Sequence, residues 1–368
     1  MKKILHIQVL PKIAGVQRVS YDILKSLPNE EYEKFILFSS DMDSVNKDYC
    51  KTQFEKIGCN VIFLDSLKRE IGIHDIKAFK DIYNLCRREK FDIVHTNSTK
   101  PGIIGRMAAK MANVPKVIHT VHGLAFHKFL KFPKWQFYWL CEMIASPFCD
   151  KIAFVNHYYT KYFKWFKKKT EVIYNGIDFS LLPPPERAEY NKDKVKLLFV
   201  GRLSEPKDPI TMLSAFKKAH EHNHNLTLTI VGDGELGKDC KNYVANNNII
   251  DCVKFEGWQN DVSKYYQSHD IFITTSIFEA FGLVFLDAGY YRLPTVATNV
   301  EGIPEVIEDK VTGFLSSPKD VNKIAENILK LASDENLRRL LGENARKRVL
   351  SKFTSEKMVD SYKELYEG

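Results

Sequence analysis

The chain reads as an α/β protein made of two parallel-sheet domains in tandem. Three observations predict this: short β-branched runs alternate with amphipathic stretches in both halves, a turn and proline-rich linker separates the halves, and glycines and charges collect where the runs end. In the first half, strands are expected at about 3–9, 34–39, 60–64, 92–96, 116–121, 151–155 and 171–174. The second half repeats the scheme with Val195–Gly201, Leu226–Gly232, Val253–Gly257, Ile271–Thr275, Thr295–Thr298 and Gly313–Leu315. Asn175-Gly176-Ile177-Asp178, Pro183-Pro184-Pro185 and a polar run to Lys194 form the linker by composition. The expected parts are therefore 1–178, 179–350 and a C-terminal helix, 351–368, packed back on the first domain. Two Rossmann-like domains facing across a deep cleft bind ligands beyond the C-terminal ends of their strands.

Composition narrows the class. At 368 residues with 44% hydrophobic and 27% charged residues, the chain is globular and long enough for two ordinary domains. No run of about 18 uninterrupted apolar residues predicts a membrane span. The segment from Met1 to Leu10 is a first buried strand rather than a leader, because its apolar stretch is short and interrupted by His6 and Gln8. Seven scattered cysteines without a CxxC pair argue against a disulfide framework or a zinc site and point to a reducing cytoplasm. The net charge of +8 is uneven: residues 1–180 carry 29 lysines and arginines against 18 acidic residues, whereas the rest is slightly acidic.

The second half holds the densest chemistry. Asp270 to Thr275 is a strand, Glu279 sits in the following loop, and Gly282 allows close backbone approach where a helix begins. Asp287 lies about one turn inside that helix, so two carboxylates can flank a ligand whose anionic middle rests on helix-start amides. A nucleotide sugar has that layout. By themselves these residues equally fit a unit in which Glu279 caps the helix and Asp287 is a solvated polar position. Gly201-Arg202 ends an earlier strand, with Lys207 at the start of the next helix; two cations there suit a diphosphate, and equally an exposed loop. Gly232-Asp233-Gly234-Glu235-Leu236-Gly237 satisfies GxGxxG, with Glu256 near the position of a ribose-binding acid. That fingerprint belongs on a domain's first strand, and a full βα unit precedes it here.

Gly201-Arg202 with Lys207, Val231-Gly232-Asp233-Gly234, Phe255-Glu256-Gly257, Glu279 with Asp287, Glu301-Gly302-Ile303-Pro304-Glu305 and Thr312-Gly313-Phe314-Leu315 follow one another in the chain. This series resembles the retaining GT-B glycosyltransferases of glycosyltransferase family 4, over almost the whole length. The resemblance implies a donor site in the second half. Arg202 and Lys207 lie on the diphosphate, Glu279 on the donor sugar, the amides of Gly282 and Leu283 on the phosphates, and Asp287 on the ribose. Gly232, Glu256 and Phe281 join the donor contacts, with the base near Glu256 to Asp261. Asp287 departs from the family, which usually has the longer Glu there. The run Pro11 to Arg18 resembles the family's Gly-Gly-x-x-Arg loop with Ala14 at the first glycine, leaving Gly15 to approach donor phosphate or acceptor. Resemblance also sets His122, at a strand end before Gly123, against the transferred sugar. The role of His119 stays open.

Other features are read as structure. Asp41-Met42-Asp43 spells the DxD of metal-dependent GT-A enzymes, yet it follows the second strand as a helix cap, so no required metal and no cofactor are expected. His220, His222 and His224 form a helix-end cluster in solvent. Lys128, Lys131, Trp135, Lys164, Lys167 and Lys168 stand in two basic, aromatic-rich segments that suit an anionic membrane surface or, alternatively, an interdomain core with a solvated lysine face. No nucleic-acid module accompanies that charge.

The expected function is transfer of a sugar from a nucleotide donor, UDP-linked, to a glycan on a polyprenyl diphosphate, at the cytoplasmic face of the membrane. A nucleotide-sugar epimerase of the same architecture is the alternative. An NAD-type oxidoreductase would need Gly232, Gly234 and Gly237 on a pyrophosphate.

Overall fold

The expected strands form in both halves, and their order is what arranges the loops. The computed structural model describes residues 1–13, 15–68, 70–126, 130, 132–185 and 194–368. The chain divides into two units, Met1–Asn175 with Ser355–Gly368, and Gly176–Thr354.

The first unit runs β1 (Lys2–Ile7), α1 (Val16–Ser26), β2 (Tyr32–Ser39), α2 (Ser44–Lys56), β3 (Cys59–Leu64), α3 (His74–Glu89), β4 (Ile93–Asn97), α4 (Thr99–Met111), β5 (Lys116–Val121), α5 (Lys134–Ala145), β6 (Lys151–Phe154) and β7 (Thr170–Val172). Its seven parallel strands lie in the order β3-β2-β1-β4-β5-β6-β7. Ile4 pairs with Lys34 on one side and Ile93 on the other, so β1 is central and its Ile4, Leu5 and Ile7 are fully buried. Strands covered on both faces read as apolar runs rather than alternations, which is why these segments stand out in the sequence. Lys34 is a buried charged exception. Its ammonium donates to the carbonyls of Leu24 and Leu27 at 3.0 Å each, at the C-terminal end of α1 where carbonyls lack helical partners. Asp43 caps α2 by accepting from the Asn46 amide at 2.9 Å, so the DxD acid has a local role.

Helix α13 (Ser355–Glu367) completes this unit, although it follows the second one in sequence. Met358, Val359, Tyr362, Leu365 and Tyr366 join the cluster that contains Val19 and Ile23 of α1 and Ile4 of β1. Two tyrosines also tie it to buried polar groups of the sheet. The Tyr366 hydroxyl lies 2.6 Å from His95 Nδ1 and 3.0 Å from His6 Nε2, and the Tyr362 hydroxyl lies 3.0 Å from Thr120 Oγ1, which in turn meets His95 Nε2 at 2.7 Å. Burial drives the His6 imidazole down to about 3 and holds His95 well below the usual histidine range, so both stay neutral and exchange hydrogen bonds as donor or acceptor.

The second unit runs β8 (Val195–Val200), α6 (Pro209–His222), β9 (Leu226–Val231), α7 (Gly237–Asn246), β10 (Val253–Gly257), α8 (Ser263–Ser268), β11 (Ile271–Ile273), α9 (Leu283–Tyr290), β12 (Thr295–Thr298), α10 (Ile303–Val306), β13 (Gly313–Ser316), α11 (Val321–Ser333) and α12 (Glu335–Lys352). Its sheet order, β10-β9-β8-β11-β12-β13, repeats the doubly wound plan. Leu197, Phe199, Leu228, Ile230, Met212, Phe216 and Ile328 meet in one core.

The GxGxxG glycines have a packing explanation. A Cβ on Gly232 would stand 2.0 Å from the Gly201 carbonyl oxygen, and one on Gly234 would stand 2.3 Å from that of Leu203. The loop after β9 therefore closes directly on the loop after β8. Leu203 donates to Asp233 O at 3.1 Å and Leu236 donates to Leu203 O at 2.9 Å, while the Gly232 amide donates to Gly257 O at 2.8 Å. Protein backbone occupies the close approach that a dinucleotide pyrophosphate would need. His220 is likewise used locally, 3.1 Å from Leu226 O and edge-on to His224. All seven cysteines are free.

Replacing Tyr366 with Phe removes the hydroxyl that serves two buried imidazoles and keeps the ring. The expected loss is about 1–3 kcal/mol, read as a lower urea midpoint with an unchanged denaturant slope.

Candidate active site

The site in the second unit grows from the reversal of strand order. Strand β8 pairs with β9 on one side and β11 on the other, with Ile271 opposite Leu197 and Phe272 opposite Leu198. The loops leaving β8 and β11 thus emerge side by side while the chain after each turns to a different neighbour, the situation that opens a ligand crevice in such sheets. Buried hydrogen bonds fasten the two loops. Thr275 Oγ1 donates to Asp208 O at 2.8 Å, and the Ile277 amide donates to Pro206 O at 2.8 Å. Asp208, at φ 45°, holds the left-handed turn that ends the Glu205–Lys207 helical turn and begins α6.

That fastening brings Lys207 onto Glu279. The ammonium forms an ion pair with Oε2 of the carboxylate, both side chains being largely shielded at 23% and 17% exposure. The Gly302 amide donates to Glu279 O at 3.1 Å, and Thr298 Oγ1 donates to Ser276 O at 2.5 Å, so the loops after β11 and β12 are joined as well. Gly282 follows at φ 81°, a backbone state that side chains rarely adopt. A Cβ there would also stand 2.5 Å from the Phe285 ring and 3.4 Å from Glu279 Cγ. Glycine is required both by the turn and by the space. Helix α9 starts at Leu283; the Phe285 amide turns back to Gly282 O at 3.0 Å, while the amides of Leu283 and Val284 precede the first intrahelical acceptor and form a positive pole next to the Lys207–Glu279 pair.

Asp287 lies one turn further along α9 and is only part-exposed. Burial pushes its carboxyl up to about 7, and it presses back on the Tyr266 hydroxyl, which rises well above its usual range from burial first and then from that neighbouring charge. It is neither a solvated surface acid nor an acid with a cation beside it.

The remaining donor candidates are placed less uniformly. Arg202 is exposed in the loop after β8. Phe281 turns inward, 2% exposed, with its ring 5.5 Å from that of Phe353, so its side chain serves the core. Gly232 carries the backbone approach described above. Glu256, at the end of β10, is bound by Lys254 at 2.5 Å and accepts from the Tyr265 hydroxyl at 3.1 Å. It lines a polar groove of about 520 Å³ with Lys196, Thr229 and His269, a groove whose walls include neither Lys207 nor Glu279.

In the first unit, His122 follows β5 and is part-buried. Its Nε2 lies 3.0 Å from Asn97 Oδ1 at the end of β4. Asn97 Nδ2 donates to His95 O at 3.5 Å, which assigns Oδ1 to His122 and the imidazole proton to Nε2. Desolvation holds His122 down to about 3, hence neutral. His119 behaves differently: it is buried, bonded to Thr96 Oγ1 at 3.0 Å, and a Cβ on Gly102 would stand 2.2 Å from its ring. That resolves the open histidine in favour of packing. Gly15 caps α1 at φ 52° with open space around it. Trp135 lies in α5 and shares a groove with Lys164, and Lys167 and Lys168 follow in the helical turn Lys164–Lys169; Lys128 and Lys131 fall outside the described residues.

Asp208, Thr275, Thr298 and Asn97 escaped the sequence reading. Their only signal is a small polar residue at or just past a strand end, which marks ordinary turns equally well.

The raised Asp287 carboxyl predicts a pH effect. Between its ordinary 3.8 and about 7 the folded protein holds a proton that the unfolded chain has lost, so stability falls as pH rises through that window. Relative to Asp287→Asn, the wild-type unfolding free energy from urea titrations should fall steadily from pH 4 to 7, by on the order of 1–3 kcal/mol, and then level off.

Comparison with known proteins agrees with this fold. Residues 13–181 match the family model Glycosyltransferase Family 4, and residues 185–348 match Glycosyl transferases group 1. The Escherichia coli UDP-Gal:alpha-D-GlcNAc-diphosphoundecaprenol alpha-1,3-galactosyltransferase is 32% identical over 386 aligned positions, covering 99% of this chain and 96% of that protein. The Staphylococcus aureus capsular polysaccharide biosynthesis glycosyltransferase CapM is 30% identical, covering 82% of this chain and 83% of its own. Anabaena HepE, solved in complex with UDP-glucose, superposes with a TM-score of 0.82 at 19% identity over 100% of both chains. With two parallel-sheet units of this topology and a relative at that identity over nearly its whole length, the chain belongs to the GT-B glycosyltransferases of glycosyltransferase family 4.

Proposed function

We propose that this glycosyltransferase moves a hexose or N-acetylhexosamine from a UDP-linked donor to a glycan carried on a polyprenyl diphosphate, in assembly of a surface polysaccharide, with retained anomeric configuration. The observation that carries the reading is the Lys207–Glu279 pair beside the glycine-opened start of α9, with Asp287 one turn on. This order of cation, carboxylate, free amides and second carboxylate matches diphosphate, sugar and ribose along one ligand. The E. coli relative, whose name specifies a UDP-galactose donor and a diphosphoundecaprenol-linked acceptor, supports the choice of both substrates.

Each group has a task that follows from its surroundings. Lys207 and Arg202 take the diphosphate charge together with the amides of Gly282 and Leu283, so the leaving group is stabilised by fixed cations and dipoles and needs no metal. Glu279 hydrogen-bonds hydroxyls of the donor sugar. Asp287, near half-ionised at neutral pH, becomes a better acceptor for ribose hydroxyls as it loses its proton. The neutral imidazole of His122 is the first unit's candidate for a hydroxyl of the transferred sugar. In the reaction the acceptor hydroxyl oxygen forms the new bond to the anomeric carbon on the face the diphosphate leaves, and the departing phosphate oxygen takes the hydroxyl proton. An acceptor with a polyprenyl tail sets this chemistry at the cytoplasmic face of the membrane, next to anionic lipid.

The test is a thermal-shift comparison of UDP, GDP, ADP, NAD and UDP-sugars, followed by mass spectrometry of products on a polyprenyl-diphosphate-GlcNAc acceptor. UDP compounds should raise the melting temperature, the acceptor should gain one sugar, and EDTA should leave the rate unchanged. Glu279→Gln should keep the UDP shift and lose about 10²–10³ in kcat. No shift with any nucleotide would sink the donor site; an altered sugar nucleotide formed without acceptor would identify an epimerase.

A further inference from the structure

Helix α5 is built inside out for a helix in water. Its inward positions include Glu142, which is 1% exposed and bound by the fully buried Arg106 at 2.6 Å. Arg106 also donates to Gly102 O at 2.8 Å within α4, which aims its guanidinium at the Glu142 carboxylate, and Ser146 Oγ donates to the Glu142 backbone carbonyl at 2.7 Å at the end of α5. Of its five exposed positions Lys134 and Gln136 stand in the first turn, and the other three are apolar: Phe137, Leu140 and Ile144 are 51%, 51% and 52% exposed. Their spacing of three and four residues sets them on one stripe. A surface helix ordinarily shows the opposite arrangement, and an isolated exposed Leu needs no account, but a continuous stripe does.

The surroundings extend the stripe and add charge of one sign. Trp135 stacks on Trp139 at 6.3 Å, and Trp139 meets Trp165 edge-on at 5.9 Å. These three indoles, of four in the chain, line a largely apolar groove of about 510 Å³ with Leu140, Lys161 and Lys164. Trp165 itself is 75% exposed. Lys161, Lys164, Lys167 and Lys168 are exposed along the same segment. From Ile93 to Cys149 the sole acidic residue is Glu142, and none occurs from Lys151 to Thr170. Exposed aliphatic and Phe side chains, a belt of indoles and a cationic margin without acids are the chemistry of a helix lying in a lipid headgroup boundary.

We infer that α5 is a monotopic membrane anchor, lying flat in an anionic phospholipid leaflet with Phe137, Leu140 and Ile144 in the acyl region, the indoles at the boundary and the lysines on headgroup phosphates. This deepens the reading of a membrane-borne acceptor by assigning the segment that enters the lipid, and it requires apolar insertion rather than charge adsorption alone. A 12-residue helix is about 18 Å long, too short to span a bilayer and suited to lie in its plane.

Co-sedimentation of the full chain with phosphatidylcholine vesicles, with and without phosphatidylglycerol, tests it without nucleotide or acceptor. Phosphatidylglycerol vesicles should bind the protein, part of that binding should survive high salt, and acyl-brominated lipid should quench tryptophan fluorescence. Phe137→Ser/Leu140→Ser/Ile144→Ser should lower vesicle affinity by at least about tenfold at low and high salt, with an unchanged melting temperature and UDP shift. Lys164→Gln/Lys167→Gln/Lys168→Gln should weaken binding at low salt only. Binding wholly abolished by salt and without quenching would overturn the anchor. So would binding confined to vesicles doped with a polyprenyl phosphate, or a wild-type dimer that α5 substitutions dissociate. Because the quenching uses the unaltered protein, a misfolded variant does not remove the test. A positive UDP shift with no lipid binding would reject the anchor and leave the donor site standing.

Discussion

The pairing of β8 with β11 is the constraint on which the candidate site depends. In a strictly sequential sheet two strands would lie between the loops after those strands. Because β9 and β10 are laid on the opposite side of β8, the third later strand becomes its neighbour, and Lys207 reaches Glu279 across 72 residues of chain. The ion pair is a consequence of that topology and of the buried Thr275 and Ile277 hydrogen bonds that align the loops. Gly282 and the open amides of α9 then supply positive potential that no side chain needs to provide. In the proposed reaction the pair exchanges partners, with diphosphate taking the ammonium and sugar hydroxyls the carboxylate.

The first unit shows how burial sorts chemically identical residues. His6, His95, His119 and His122 all occur on or just after strands of one sheet. His6 and His95 are held by Tyr366 of a helix that arrives from the far end of the chain, and His119 by Thr96 and the close approach of Gly102. Only His122 lies past its strand end with partial exposure, which is the position from which a ring can meet a ligand. All three whose shift is caused first by burial and whose rings face inward are neutral for the same desolvation reason as His122, so neutrality by itself does not mark the functional one.

Helix α5 illustrates the complementary rule. Its buried Arg106–Glu142 pair adds little net stability over an apolar contact of the same shape, because desolvating both charges offsets most of their attraction. What the pair does is fill an inward position of α5 that an apolar side chain would otherwise take, beside the small Ala145, and thereby fix which face is presented. The polar contact inside and the apolar stripe outside are two sides of one packing choice.

Much of this was legible in the sequence. The strand-and-helix alternation, the linker and the order of the motifs sufficed for two doubly wound sheets, because strands covered on both faces must be apolar runs and the turns between them need glycine, proline or small polar residues. Gly282, Glu279 and the position of Asp287 one turn into α9 follow from local rules of helix entry. Three matters depended on distance in space. The GxGxxG pattern arose from one loop closing on another at Gly201 and Leu203, a contact with the same demand for missing side chains as a bound pyrophosphate. Phe281 and Glu256 carry motif positions yet point to the core and to Lys254, since direction is set by packing partners and not by spacing along the chain. The acidity of Asp287 and the outward face of α5 depend on what surrounds each residue once the chain is folded. Sequence determined which groups stand at strand ends; only the tertiary structure decided which are shielded from water, and shielding is what sets their charge and their availability.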